Sequence, residues 1–171
     1  MFTIHTLQSV PEASRDALRG LERNIGFIPN LAAAIAGSPT AIGAFVGLQT
    51  SLRGSTLSGL EREVVGITVS RHNDCEYSLA AHSTFARAHG ADDETLVALL
   101  AGEPLPEPRL EALHAFTGEL LERRGHVDAV GISPEQALEV ITQVAYTTLA
   151  NYAADVAKAP IDDAFVALTQ G

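Results

Sequence analysis

Between Ser58 and Gly90 the chain carries the start and stop signals of two consecutive helices, and this feature constrains its fold more than any other. Ser58 and Glu61 have the spacing of a capping box, in which the hydroxyl and the carboxylate each satisfy a backbone N–H left without a partner at a helix start. The apolar run that follows predicts a helix through about Ser70. Asn73-Asp74 interrupts it, and Asp74 is the expected N-cap of a further helix running to His89, with Gly90 as its C-terminal stop. Two helices joined by so short a break fold back on each other as a hairpin.

The flanking sequence is read in the same way. Leu18, Leu21 and Ile25 recur at helical spacing, with Pro11 where a first turn tolerates it and Gly26 near the end, predicting a helix from about Pro11 to Asn24. Pro29-Asn30 leads into an alanine-rich helix from Leu31 to Ala36. Gly37-Ser38-Pro39 ends it before Ile42, Phe45, Val46 and Gln49 resume the period. Beyond Gly90, Asp92 is placed to cap a helix over Glu94 to Leu100, and the segment from Gly102 to Pro106 forms a turn-prone connector. Leu110, Leu113, Phe116, Leu120 and Leu121 mark an amphipathic helix ending at Gly125. Ser133, Pro134 and Gln136 start a long helix through Tyr152 or beyond, and a short helical turn is expected after Pro160. Period-2 alternation bounded by hairpin turns is absent, as is any repeat of roughly 20–50 residues. The expected fold is therefore all-α, one domain over residues 1–171, with N-terminal helices in 1–56, a motif-bearing core in 57–102 and C-terminal helices in 103–171.

Composition narrows the function. A chain of 171 residues buries a substantial core without disulfides or a structural metal. Gly and Pro interruptions leave no apolar run long enough to cross a bilayer, and Met1 to Val10 lacks the layout of a secretory signal, so a soluble, cytoplasmic protein with no membrane partner is expected. The 21 acidic residues outnumber the 11 basic ones, for a formal charge of −10. Such a surface repels phosphate backbones, and no basic cluster is interleaved with aromatics, which argues against nucleic-acid partners. Cys75 is the single cysteine, so an intramolecular disulfide and any site needing two thiolates from one chain are excluded. His5, His72, His89, His114 and His126 lack metal-ligand spacing and are expected to be solvated; no metal and no cofactor are expected.

One stretch has the makings of a reactive site. Cys75 and Ser78 are three apart, and Ser78 and His82 four apart, so on a helix starting near Asp74 all three line one face. Cys75 would sit in the first turn, where unpaired N–H groups and the helix dipole favour a thiolate. Glu63 lies on the preceding helix, and an antiparallel return brings it alongside His82. A carboxylate–imidazole pair of this kind fixes the imidazole tautomer and lets it move a proton to or from a neighbouring group.

The segment from Leu57 through Glu63-Val64-Val65, and on through Asn73-Asp74-Cys75-Glu76-Tyr77-Ser78 to His82, resembles the signature of the carboxymuconolactone decarboxylase and AhpD-like alkylhydroperoxidase family. The resemblance implies an AhpD-like helical bundle and a site in which Glu63, Cys75 and His82 match the family's Glu, first Cys and proton-relay His. It also implies homo-oligomers from dimer to hexamer, and the apolar span Leu31 to Leu52 is expected to supply surface for them. Ser78 stands where the second cysteine of the family's C-x-x-C would be, and Tyr77 where some members carry a further His. A serine cannot cycle through sulfenic acid and disulfide, so the two-cysteine reaction cannot run in this chain.

Three readings follow. The first is a one-thiol peroxidase that reduces organic hydroperoxides with Cys75 and is restored by an external thiol reductant, with Glu63, Ser78 and His82 assisting. The second is cofactor-free acid/base chemistry by His82 and Glu63 on a small carboxylated or lactone substrate. The third is a non-catalytic oligomer that binds a ligand or senses oxidants. Each residue also has a plainer role: Cys75 as a small buried hydrophobe, His82 as a satisfied core histidine, Glu63 as a solvated charge, Ser78 as a lining hydroxyl, Glu61 as the capping-box acid. Tyr77 either hydrogen-bonds a substrate or packs. Tyr146, Asn151 and Tyr152 resemble a stretch that in relatives lies near the site or the subunit interface.

Overall fold

The computed structural model describes residues 2–166. Nine α-helices follow one another there: α1 (Glu12–Ile25), α2 (Asn30–Ile35), α3 (Pro39–Leu52), α4 (Gly59–His72), α5 (Glu76–Ala88), α6 (Asp93–Ala101), α7 (Pro108–Glu122), α8 (Pro134–Ala157) and α9 (Asp163–Val166). The described residues contain no strand, and the all-α expectation holds. None of these helices is long and apolar enough to cross a membrane.

The centre of the bundle is α4, which packs against α5, α6, α7 and α8. Every residue from Val64 to Ser70 is buried. A helix covered around its whole circumference needs no polar face, so its apolar residues run together instead of repeating every three or four. Two apolar clusters form the core. Leu18, Ile42, Phe45, Tyr77 and Phe165 belong to one, which joins α1, α3, α5 and α9; Val65, Ile67, Leu99, Leu113 and Val140 belong to the other, which joins α4, α6, α7 and α8. Each fully buried side chain of this size stabilises the fold by roughly 1.5–3 kcal/mol.

Local signals set most helix ends. Both bonds of the Ser58/Glu61 capping box form, as do both of the Ser133/Gln136 box. Asp92 accepts from the Thr95 N–H at 2.8 Å. Gly90, at φ 93°, closes α5 with two backbone bonds, from its own N–H to the Arg87 carbonyl and from that of Ala91 to the Ala86 carbonyl.

Asp74 departs from expectation. It adopts a left-handed φ of 55°, its N–H donates to the Arg71 carbonyl at 3.2 Å, and the Cys75 N–H donates to the Ser70 carbonyl at 3.0 Å. This is the same two-bond closure as at Gly90, so Asp74 ends α4 instead of capping α5. The N-cap of α5 is Cys75, with no side-chain cap hydrogen bond. A connection this short needs one residue to reverse the chain, and left-handed backbone is incompatible with the extended conformation of an N-cap. Aspartate tolerates it better than most residues.

Two further expectations change. Leu31 to Ala36, expected to offer surface to another subunit, are buried inside the chain, where α2 packs against α3 and α8. The large exposed apolar side chains are elsewhere, at Val97, Val130, Leu138, Tyr152 and Val156 among others. His114, expected to be solvated, is half-buried: Thr68 Oγ1 donates to the Val64 carbonyl and therefore accepts from His114 Nδ1 at 2.8 Å.

Candidate active site

The α4–α5 hairpin brings Glu63 and His82 together. Nδ1 of His82 lies 2.6 Å from Oε2 of Glu63, and their side chains are only 10% and 14% exposed. This approach depends on Gly66, one turn along α4 from Glu63. A Cβ at Gly66 would stand 2.6 Å from both Nδ1 and Cε1 of His82, well inside van der Waals contact. Glycine in a helix interior costs about 1 kcal/mol relative to alanine; here it makes room for the imidazole against the backbone of α4.

His82 lines two neighbouring spaces. The inner one is a recess of about 60 Å³, walled mainly by apolar side chains including Leu21, Ile25, Phe45, Phe85 and Phe165, with Ser78 one turn before His82 on α5. The outer one, of about 390 Å³, is bordered by Asn24, Arg53, Arg62, Glu63, His89 and Gln143. Ile25, Gln49, His82, Phe85 and Tyr146 line both. The Tyr146 ring stacks on Phe45 with centroids 4.9 Å apart, and its hydroxyl accepts from Gln49 Nε2 at 3.4 Å. Burial, reinforced by the charge of Glu63, pushes this phenol well above its ordinary range, so it stays protonated and able to donate.

Cys75 lines neither space. It is fully buried, and Sγ donates to the Asn151 carbonyl at 3.8 Å. Burial pushes the thiol up, and nearby Asp155 adds to this against the opposing effect of Ser78. The thiolate expected from a first-turn position is therefore disfavoured, because Cys75 is buried against α8. Asn151 also donates from Nδ2 to Ser70 Oγ at 3.1 Å and accepts from Asn73 Nδ2 at 2.9 Å, tying the α4–α5 turn to α8.

The ring of Tyr77 reaches the inner recess, but its hydroxyl is engaged in packing the chain. It donates to Asp162 Oδ2 at 2.6 Å and accepts from the Leu31 N–H at 3.3 Å. Burial and the bond to Asp162 push the phenol far up. Asp162 accepts in addition from the Asn30 N–H, so the segment before α9 caps α2. Tyr152 is largely exposed and borders neither space.

The structure thus puts Glu63 beside His82, with Ser78 one turn before His82 in the wall of the inner space, while Cys75 lies against Ser78 but lines neither space. Gln49, Phe45, Arg53 and Arg62 join the site without having stood out as site residues in the sequence; Gly66, a glycine inside a strong helix pattern, is the one signal that could have pointed to a close approach. No group of three or more His, Cys, Asp or Glu side chains among the described residues is arranged to hold a metal ion.

Residues 39–105, which run from α3 past α6 and include Glu63, Cys75, Ser78 and His82, match the model of the Carboxymuconolactone decarboxylase family. No protein of curated function matches the chain. Among solved structures, the chain is similar to an alkylhydroperoxidase AhpD core, an uncharacterized peroxidase-related protein from Ralstonia eutropha JMP134, with a TM-score of 0.84 at 22% identity over 96% of this chain and 93% of that one. It is similar to an uncharacterized peroxidase-related protein from Silicibacter sp. TM1040, with a TM-score of 0.76 at 20% identity over 91% and 88%. A cysteine-to-alanine variant of the debrominase Bmp8 in complex with 2,3,4-tribromopyrrole is also similar, with a TM-score of 0.75 at 20% identity over 90% and 87%. The chain has the AhpD-like fold.

Proposed function

We propose that this chain is a cofactor-free acid/base enzyme acting on a small molecule, with chemistry of the carboxymuconolactone decarboxylase type. The observation that carries this reading is the His82–Glu63 pair at 2.6 Å, with His82 in the wall of both spaces. Glu63 occupies Nδ1, which fixes the tautomer and leaves Nε2 as the nitrogen with a lone pair for a ligand. In an isomerisation Nε2 takes a proton from one carbon and returns it to another. In a decarboxylation Nε2 first takes a proton from solvent; the bond to the carboxylate then breaks, CO2 leaves, and the carbanion takes that proton, which returns the ring to its neutral form. Tyr146, whose hydroxyl accepts from Gln49 and keeps its own hydrogen for a ligand, would stabilise the negative charge that develops on an adjacent oxygen. Ser78 contributes a hydroxyl to the recess wall beside His82.

The match over residues 39–105 supports this reading, since it spans both Glu63 and His82. The bound tribromopyrrole in a debrominase of the same fold supports a ligand on the scale of one small ring. The buried, hydrogen-bonded Cys75 weighs against the one-thiol peroxidase.

The test is a screen by NMR in D2O of small lactones, β-keto acids and carboxylated lactones for carbon-bound deuterium uptake or CO2 release. Turnover should survive Cys75→Ala and disappear in His82→Ala. Peroxide reduction with an added thiol that vanishes in Cys75→Ala, with no proton exchange on any compound, would replace this reading by the peroxidase.

A further inference from the structure

We propose that residues 159–166 form a strap that opens and closes the inner recess, with the Asp162 carboxylate as its latch and the Phe165 ring as its lid. Such a strap governs the way into the recess whichever reaction His82 carries out.

The strap has little apolar packing to hold it. It begins where α8 ends at Lys158, whose left-handed φ of 51° turns the chain out of the helix. Pro160, Asp163 and Ala164 are exposed, Ala159 and Ile161 are half-buried, and α9 is a single turn, too short to be stable by itself. Phe165 is the apolar side chain that goes deep. Its ring stands edge-on to Phe27, Tyr77 and Phe85, with centroids 5.7, 6.0 and 5.6 Å away, and it is the strap's contribution to the recess wall.

The polar bonds that fasten the strap converge on one side chain. Asp162 is buried and accepts from the Tyr77 hydroxyl at 2.6 Å and from the Asn30 N–H at 3.1 Å to each carboxylate oxygen. Asn30 Nδ2 donates to the Pro160 carbonyl at 3.1 Å. Hydrogen bonds to a carboxylate are stronger than those between neutral groups, so this one latch does most of the holding. Tyr77 joins latch to recess, with its hydroxyl in the first and its ring in the wall of the second.

The other walls of the recess come mainly from α1, α2, α3, α5 and α8, and parting any of these would break packing between core helices. Lifting the strap breaks the contacts of one ring and the bonds of one carboxylate. Segments with so few buried contacts open locally while the rest of the fold stays intact, and lids are drawn from them.

Two measurements on the full chain test this. In hydrogen exchange followed by mass spectrometry, strap amides should exchange at least about a hundredfold faster than those of the buried run Val64 to Ser70 in α4. The variant Ala81→Cys places a thiol on the recess wall, and methyl methanethiosulfonate should label it slowly, with peptide masses separating it from Cys75. Adding Tyr77→Phe or Asp162→Ala should speed both strap exchange and labelling by at least about tenfold, while α4 exchange changes by no more than about threefold. Adding Phe165→Ala should speed labelling as much with the latch intact. Strap amides that exchange no faster than those of α4, or labelling that Phe165→Ala leaves unchanged, would overturn the proposal. Faster strap exchange without faster labelling would also overturn it, by placing the way in at the side chains shared with the outer space. Equal acceleration in α4 would do the same, by showing that Asp162 only holds the fold together.

Discussion

The imidazole of His82, on α5, donates from Nδ1 to Oε2 of Glu63, on α4, across 2.6 Å. Nineteen residues separate the two in sequence, and one hairpin brings them together. Among the described residues this is the only contact between a carboxylate and an imidazole, so most of the expected behaviour follows from it.

Removing the carboxylate should release the tautomer. Glu63→Ala leaves Nδ1 without a partner and is expected to destabilise the fold by about 1–3 kcal/mol. Long-range ¹H–¹⁵N NMR should show one Nδ1–H tautomer of His82 in the unmodified protein and a mixture in the variant. On a substrate found by the exchange screen, kcat should fall about a hundredfold with KM little changed. A single unchanged tautomer in the variant would show that Glu63 does not orient the ring.

Gly66→Ala should separate activity from helix propensity. Alanine favours the helix by about 1 kcal/mol, but its Cβ would collide with the His82 ring. The variant should keep its helical circular dichroism while losing the Glu63–His82 hydrogen bond and most turnover. Full activity would mean that the ring has space to move.

Cys75 should behave as a core residue. A thiol reagent such as DTNB is expected to label the native protein at least about a hundredfold more slowly than the urea-unfolded chain, because access needs local opening. Rapid native labelling at neutral pH would reveal an accessible thiolate and favour the peroxidase.

His114 should make stability sensitive to acid. Burial holds its pKa below the ordinary value, with Arg71 acting in the same direction and Glu111 opposing. Between the unfolded value of about 6.5 and the lower folded one, the unfolded chain binds more protons, so stability is fully present above about pH 6.5 and is lost as pH falls through that window. Urea titrations from neutral pH downwards should show this loss, and His114→Asn should flatten it. The same slope in the variant would assign the effect to other groups.

What the sequence determined by itself is the set of helices and the pairing of Glu63 with His82. Ser58 with Glu61, Ser133 with Gln136 and Asp92 with Thr95 act across three residues, within one helical turn, so their hydrogen bonds can be read from spacing alone. The four-residue step from Ser78 to His82 and the hairpin return to Glu63 are legible for the same reason. Tertiary structure decided the chemistry each residue is allowed. It sent the Cys75 sulfur to the Asn151 carbonyl, the Tyr77 hydroxyl to Asp162, and Gln49, Tyr146, Arg53 and Arg62 to the walls around His82. These outcomes depend on burial and on partners tens of residues away, and the desolvation that raises a thiol or a phenol exists only once the helices have packed.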